Sequence, residues 1–571
     1  MPHLFRLRRP VPWMLGVLLP FLGLPFARPA PQGEPGELRL GERMYREGVL
    51  PSGKPVQASV KGDVRAEGAL FGCATCHLRS GMGSIEGAVA APPISGPRLY
   101  APRLKYLKPA HRRKPRSPEA PPEPQTLRPA YTDATLARAL REGIDPSGRT
   151  LAPAMPRYLL DDRDLGIIIR YLKTLSAETA PGVTDATLRF ATPVTEGVEP
   201  ADRDALFATL EAYVNDRNAV PRRPVRRAPG QPNVRNPMHV GYSGSRSLEL
   251  VPWNLKGPPE SWRGQLDALQ QAEPVFGLVG GLAAGEWTPI HDFCEAEALP
   301  CLFPLTDLPV VSGTGWHTLY FSKGLPGEGE AAARYLRSLP GLPVASPVIE
   351  LLRDTPEGRA LSRGFEEAWA APGNPRPPPR RRVLAPQEDL ATAARETLAG
   401  TQREGVAILW VGPADLSAVW KLIEAPHHPR LVFVSSGLLR GGLDSIPEPV
   451  RSFTYITHPG PLPEEERRRM AEVEGWHLAH DVPFTRPAVQ SRAYFASLML
   501  SAALARMGDD FYRDYLLDVL DTMTDQTYAI APYERLSFGP GQRYASKGCY
   551  IVQWGPGPRP QLLKRSEWVV R

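Results

Sequence analysis

Five cysteines occur in the 571 residues, and two of them, Cys73 and Cys76, stand two residues apart and directly before His77. Thiols at this spacing match the separation of two porphyrin vinyl groups, so both can add to them as thioethers, and the imidazole that follows lies under the metal as a ligand. Cys-x-x-Cys-His is the attachment signature of a c-type haem. Covalent attachment keeps the cofactor with the chain outside the cytosol. A bare Cys-x-x-Cys also serves as a redox dithiol or as half of a zinc site. Here no second such pair and no clustered histidine pair completes a zinc set.

A donor for the opposite face of the metal lies in Leu151-Ala-Pro-Ala-Met155-Pro156-Arg-Tyr158. A thioether sulfur is a soft ligand that raises the reduction potential of iron, and the flanking prolines stiffen the loop that presents it. Met82 is too close to His77 in sequence to reach the opposite face, and His111 is the bis-histidine alternative. Two helices are expected to position these groups. Leu38 to Arg46 reads as a short helix carrying Gly41 and Tyr45 four residues apart. Asp162 to Leu175 reads as a closing helix with Leu165, Ile168, Ile169 and Leu172 on one face and Asp161 as N-cap. The glycine–aromatic pair, the attachment turn, the methionine loop and the closing helix together resemble a class I cytochrome c over residues 36–178. The resemblance implies an all-α domain with one covalent haem c, Cys73 and Cys76 as anchors, and His77 and Met155 as axial ligands. Two stretches depart from the compact pattern. Residues 48–70 separate the first helix from the attachment turn, and residues 98–130 form a Pro-, Lys- and Arg-rich insertion. The second is predicted to be an extended exposed loop, either a plain solvated loop with no partner or one whose sign attracts an acidic redox partner.

At the N-terminus, Arg6, Arg8 and Arg9 precede an apolar run from Val11 to Phe26, and small residues follow at Ala27 and Ala30. This is the order of a secretory signal, assigned to residues 1–30. Three prolines and a short run argue against a membrane span; only an uncut signal would anchor the chain. The mature protein is expected in the periplasm. A net charge of +7 on a chain of this length reads as an ordinary solvated surface rather than a nucleic-acid footprint. Length predicts two or three domains, and 42% hydrophobic residues supply their cores. Of the remaining cysteines, Cys294 and Cys301 flank a helix-to-strand return that permits either a disulfide or two buried thiols; Cys549 is left over.

Past a polar linker at 176–184 the pattern becomes strand and helix in alternation: Leu188–Pro193, Ala201–Asn218, Ser247–Leu255, Glu260–Ala272, Val275–Gly280, Thr288–Ala298 and Pro300–Pro304. It resumes at Pro347–Leu352, Pro356–Ala370, Val406–Val411, Asp415–Glu424 and Leu431–Ser435, and ends with helices at Gln490–Met507 and Phe511–Met523. Such alternation implies doubly wound parallel sheets, and its length implies two α/β lobes. Arg- and Pro-rich inserts near 219–236 and 373–382 read as surface loops. The runs Val275–Gly281, Ala298–Asp307, Asn215–Ala219, Asp354–Gly358 and Ser546–Gln553 resemble type I periplasmic solute-binding proteins of the branched-chain amino acid class over 184–571. That resemblance implies a two-lobed fold clasping a small solute at strand carboxyl ends. Gly281, Ala283, Thr306, Asp307, Gly412 and Ser435 fall on the corresponding turns. The family's small-hydroxyl turn is replaced by Gly280-Gly281-Leu282-Ala283-Ala284, and Thr355-Pro356 stand where an aromatic is usual.

These features suggest a periplasmic haem protein that transfers single electrons, its module docking a partner or sensing a ligand. A quinoprotein dehydrogenase or another cytochrome is the partner implied by resemblance. The alternative is the receptor of an ABC-type uptake system for an amino acid or small organic acid, with an accessory haem. A peroxidase-type enzyme would need an open iron site with Met155 unbound, and no acid–base or nucleophile constellation supports one.

Overall fold

The computed structural model describes residues 35–570, apart from 61–63, 88, 105–126, 220–245, 312, 314, 399–403, 424–427, 441, 524–532, 535, 540 and 558–559. The signal segment, most of the 98–130 insertion, His111, and nearly all of the 219–236 insert lie outside the described residues.

The first domain is built on the crossing of helices Pro35–Glu47 and Asp162–Thr174. Gly41 makes the crossing close: a Cβ there would lie 2.5 Å from the Tyr171 Cβ. Tyr45 covers the contact, its ring centroid 5.5 Å from that of Tyr171. Asp161 caps the second helix, accepting from the Asp164 backbone N–H at 2.8 Å. Leu165, Ile168, Ile169 and Leu172 are buried in one core with Met44, Tyr45 and Leu136. The domain is not all-α. Part of the 48–70 segment folds as a hairpin, Gln57–Val60 with Val64–Glu67, and strand Arg157–Tyr158 joins its edge. The expected departure from a tight helix-to-turn connection is therefore a small antiparallel sheet. It pins the residues just after Met155 beside the start of the domain.

The first lobe of the module carries a six-stranded parallel sheet in the order Tyr544–Ser546, Thr318–Ser322, Cys301–Leu302, Gly277–Val279, Thr187–Thr195, Ser247–Leu255. Helix Pro200–Ala219 and the long helix Pro487–Met507 pack on one face; helices Trp262–Ala272 and Thr288–Ala296 pack on the other. The second lobe orders Arg380–Leu384, Val348–Arg353, Val406–Trp410, Leu431–Ser435 and Thr454–His458 in parallel, then adds Gly548–Trp554 and Leu562–Lys564 antiparallel. Both faces of the central parallel strands are buried, which is why they read as continuous apolar runs such as Val406–Trp410.

The chain passes between lobes three times: from Ser322 to Gly324, from His458 to Pro463, and from Ser546 to Gly548. The insert at 373–382 is not wholly a loop. Its end, Arg380–Leu384, is the edge strand of the second lobe, paired from Ile349↔Arg380 to Arg353↔Leu384. Three of its residues are arginines on an exposed edge, so they carry no apolar signal. The bridge between Cys294 and Cys301 is not formed. Both are buried free thiols packed among Trp253, Phe293 and Leu299, where they behave as small apolar groups.

Candidate functional site

Cys73 precedes, and Cys76 and His77 occupy, a single helical turn, Ala74–His77. The Cys73 thiol is half-buried and the Cys76 thiol exposed. Burial pushes the Cys73 thiol up to about 11, so at neutral pH it is held as S–H. Behind it, the Tyr158 hydroxyl donates to the Phe71 carbonyl at 3.1 Å and sits 3.9 Å from the Cys73 sulfur.

His77 is only 5% exposed. Its Nδ1 lies 2.8 Å from the Pro92 carbonyl oxygen. A carbonyl only accepts, so Nδ1 carries the hydrogen and Nε2 is left with its lone pair, the arrangement a metal-ligating histidine needs. Burial lowers the imidazole's proton affinity, which keeps the ring neutral. The turn is locked from behind. Leu78 takes a left-handed φ of 64°, its N–H donates to the Ala74 carbonyl at 2.9 Å, and its own carbonyl accepts from the Tyr45 hydroxyl at 2.7 Å.

Met155 is half-buried and packs, with Cys73, Ala74 and Leu151, against the first domain's core. The sheet strand Arg157–Tyr158 sets the direction of its loop, and the Arg157 guanidinium donates to the Leu151 carbonyl at 3.2 Å and to the carbonyl of Met155 itself. Met82 is also buried, but the neighbouring Gly83 N–H donates to the His77 carbonyl at 3.0 Å, which ties it to the His77 side. Attachment turn and methionine loop thus converge through Tyr158. Pro92, Tyr158 and Tyr45 serve this site. Tyr45 had a signal in its spacing from Gly41, and Tyr158 in its proximity to Met155; Pro92 had none.

The cleft candidates of the two lobes stand at strand carboxyl ends, and the polar ones are engaged by their own chain. The Thr306 hydroxyl accepts from the Leu308 N–H at 3.0 Å. Asp307 pairs with Arg492 at 3.2 Å. The Gly412 carbonyl accepts from the Leu416 N–H at 3.0 Å at a helix start. Ser435 caps helix Ser436–Leu439 and donates to the buried Glu328 carboxyl at 2.8 Å, which the Thr457 hydroxyl also reaches at 2.6 Å. Gly281, at φ 113°, has no room for a side chain: a Cβ would come within 2.6 Å of the Trp287 ring. Ala283 packs against the same side of the first lobe as Trp287.

No family model matches the chain, and no characterised protein matches it by sequence. Solved structures are similar to about two thirds of the chain. A periplasmic binding protein type 1 from Bordetella pertussis Tohama I aligns at 14% identity over 66% of this chain and all of its own, with a TM-score of 0.46. A fatty acid ABC transporter substrate-binding protein from Thermomonospora curvata aligns at 14% identity over 69% of this chain and 95% of its own, at 0.45. The branched-chain amino acid transporter substrate-binding protein of a Streptococcus pneumoniae strain, in complex with isoleucine, aligns at 11% identity over 66% and 99%, at 0.44. The two-lobed α/β architecture stands on the strand order and crossings described above.

Proposed function

We propose that this protein is a periplasmic c-type haem protein that transfers single electrons, with its haem domain fixed to a two-lobed module. The observation that carries the reading is the His77 ring: Nδ1 is committed to the Pro92 carbonyl at 2.8 Å, one helical turn from two thiols at the attachment spacing. The residues fit the group. Cys73 and Cys76 would hold it covalently, and His77 Nε2 and Met155 Sδ would ligate its metal. Bound there, haem supplies a one-electron iron couple. The chain's own contribution is to fix the imidazole's tautomer through Pro92, to clamp the following peptide through Tyr45, and to hold the methionine loop against the attachment turn through Tyr158.

Production with cytochrome c maturation machinery tests this directly. The expected result is a covalent haem that survives acid–acetone extraction and gives a c-type pyridine haemochrome, lost in the Cys73→Ala/Cys76→Ala double variant. A wild-type protein that matures without haem overturns the reading.

A second reading, a receptor for a small solute, is favoured by the three interlobe crossings, which are the connections a clasping pair of lobes requires. It predicts a thermal shift with an amino acid or small organic acid. No shift across a screen of both classes leaves docking as the module's role.

A further inference from the structure

The first domain meets the first lobe through a built interface. Asp510, Asp514 and Asp518 recur every four residues, the last two on helix Arg513–Asp521. Each meets a different element of the first domain: Asp510 pairs with Arg98, Asp514 with Arg46 at 2.8 Å, and Asp518 with the peptide that follows His77. Asp518 is 3% exposed and accepts from the Arg79 N–H at 3.3 Å and the Ser80 N–H at 2.8 Å. Next to it the Trp316 indole is sandwiched between two guanidinium groups. Arg79 of the first domain lies 4.0 Å from the ring centroid and Arg543 of the lobe 4.3 Å. Arg543 also donates to the Trp316 carbonyl at 2.7 Å and is buried against both Asp521 oxygens.

Trp316 and Arg543 stand at the starts of strands Thr318–Ser322 and Tyr544–Ser546. These strands pair with each other, Tyr320↔Tyr544 and Ser322↔Ser546, and both leave directly for the second lobe. A packed path therefore runs from the residues after His77, across one aromatic stack, to two of the three interlobe crossings.

Resting on the haem assignment above, we propose that this path couples the iron to the lobe hinge: haem redox state shifts the opening equilibrium of the lobes, and lobe closure shifts the haem's reduction potential in return. The reciprocity is required by thermodynamic linkage. The differential interaction is electrostatic and mechanical. Ferric haem carries one more positive charge than ferrous haem, on a ligand whose next residues are bonded to a buried carboxyl. Going from one state to the other therefore changes how tightly Leu78–Ser80 is drawn to helix Arg513–Asp521. One electron from a chemical reductant such as dithionite makes the change, and no bond in the chain forms or breaks.

Hydrogen exchange followed by mass spectrometry on the full-length haem-loaded protein tests the coupling, oxidised with ferricyanide against reduced with dithionite. Peptides covering 316–324 and 543–549 are expected to exchange at rates differing by roughly fivefold or more between the two states, the lower end of ordinary coupling. The difference is expected to vanish in Trp316→Leu and in Arg79→Ala, which removes the outer half of the stack and leaves the lobe core untouched. Equal exchange in a wild-type protein with a normal haemochrome spectrum overturns the coupling alone, as does an unchanged difference in Arg79→Ala. Absence of the haemochrome overturns the haem assignment and the coupling together.

Discussion

The ligand role proposed for His77 rests on how its surroundings prepare the ring rather than on the ring's own chemistry. The Pro92 carbonyl chooses the tautomer, burial keeps the ring uncharged, and a left-handed Leu78 turns the chain directly after it. On the opposite side the fit depends on one sulfur, which makes Met155→Ala the sharpest single substitution. The haem-loaded variant should lose the methionine–iron charge-transfer band and gain carbon monoxide binding, with its reduction potential lowered because a soft donor to ferrous iron is gone. A wild-type iron that already binds carbon monoxide freely would contradict Met155 ligation. Tyr158→Phe should keep the haem while costing about 1 kcal/mol of stability in denaturant titration, the usual worth of a hydrogen bond such as that to the Phe71 carbonyl. Cys73, Cys76 and His77 were legible as candidates because the covalent attachment proposed for them requires residues side by side in sequence. Pro92 was not, because any backbone carbonyl can accept from Nδ1 and only the fold decides which one arrives.

Helix crossings in both halves of the chain rest on glycine. In the second lobe, helices Gly324–Ser338 and Pro356–Trp369 meet backbone to backbone. A Cβ on Gly329 would lie 2.0 Å from the Leu361 carbonyl oxygen, and one on Gly364 2.0 Å from the Pro326 carbonyl oxygen. Backbone atoms cannot rotate aside as a side chain can, so Gly329→Ala or Gly364→Ala should each destabilise the protein by roughly 1–3 kcal/mol, the cost of overpacking. The double variant should lose less than the sum, since one separation of the helices relieves both contacts; full additivity, measured by urea unfolding, would contradict the shared crossing. The same region shows where sequence reading ran out. The alternation of strand and helix was plain for most of the elements buried on both faces. Helix Gly324–Ser338 was not seen because it opens Gly-Leu-Pro-Gly, which reads as a turn, and its entry strand Thr318–Ser322 was lost with it. Strand Arg380–Leu384 was hidden because an exposed edge carries arginine rather than valine.

Over the whole molecule, the hydrogen bonds and ion pairs that Asp510, Asp514 and Asp518 make to the first domain link residues more than 400 apart in sequence, such as Ser80 with Asp518, and no local pattern announces them. Carboxyls buried at this interface and inside the lobes also leave a charge signature. Burial raises Asp518 and Glu350 to about 7 and Asp521 to about 6, so the folded chain holds protons that the unfolded chain releases near pH 4. The stability these groups contribute is complete below that pH and is lost as pH rises through 6 to 7. Glu295 acts in the opposite sense. The His317 ring and backbone N–H groups bonded to it bring it down to about 2 despite its partial burial, so its contribution is present above pH 4.5 and is lost only as pH falls toward 2. Melting temperature is therefore expected to be highest near pH 4.5–5 and to fall toward pH 8. Glu350 isolates the effect: it is fully buried in the centre of strand Val348–Arg353, and one of its oxygens accepts from the Trp410 indole at 2.8 Å. Replacing it by glutamine keeps the acceptor and removes the charge. Glu350→Gln should thus flatten the decline and stabilise the protein at pH 8 by up to about 3 kcal/mol, with little change at pH 4.5. A melting temperature that rises from pH 5 to pH 8, or a Glu350→Gln curve parallel to wild type, would show that water or a counter-charge reaches the carboxyl in solution.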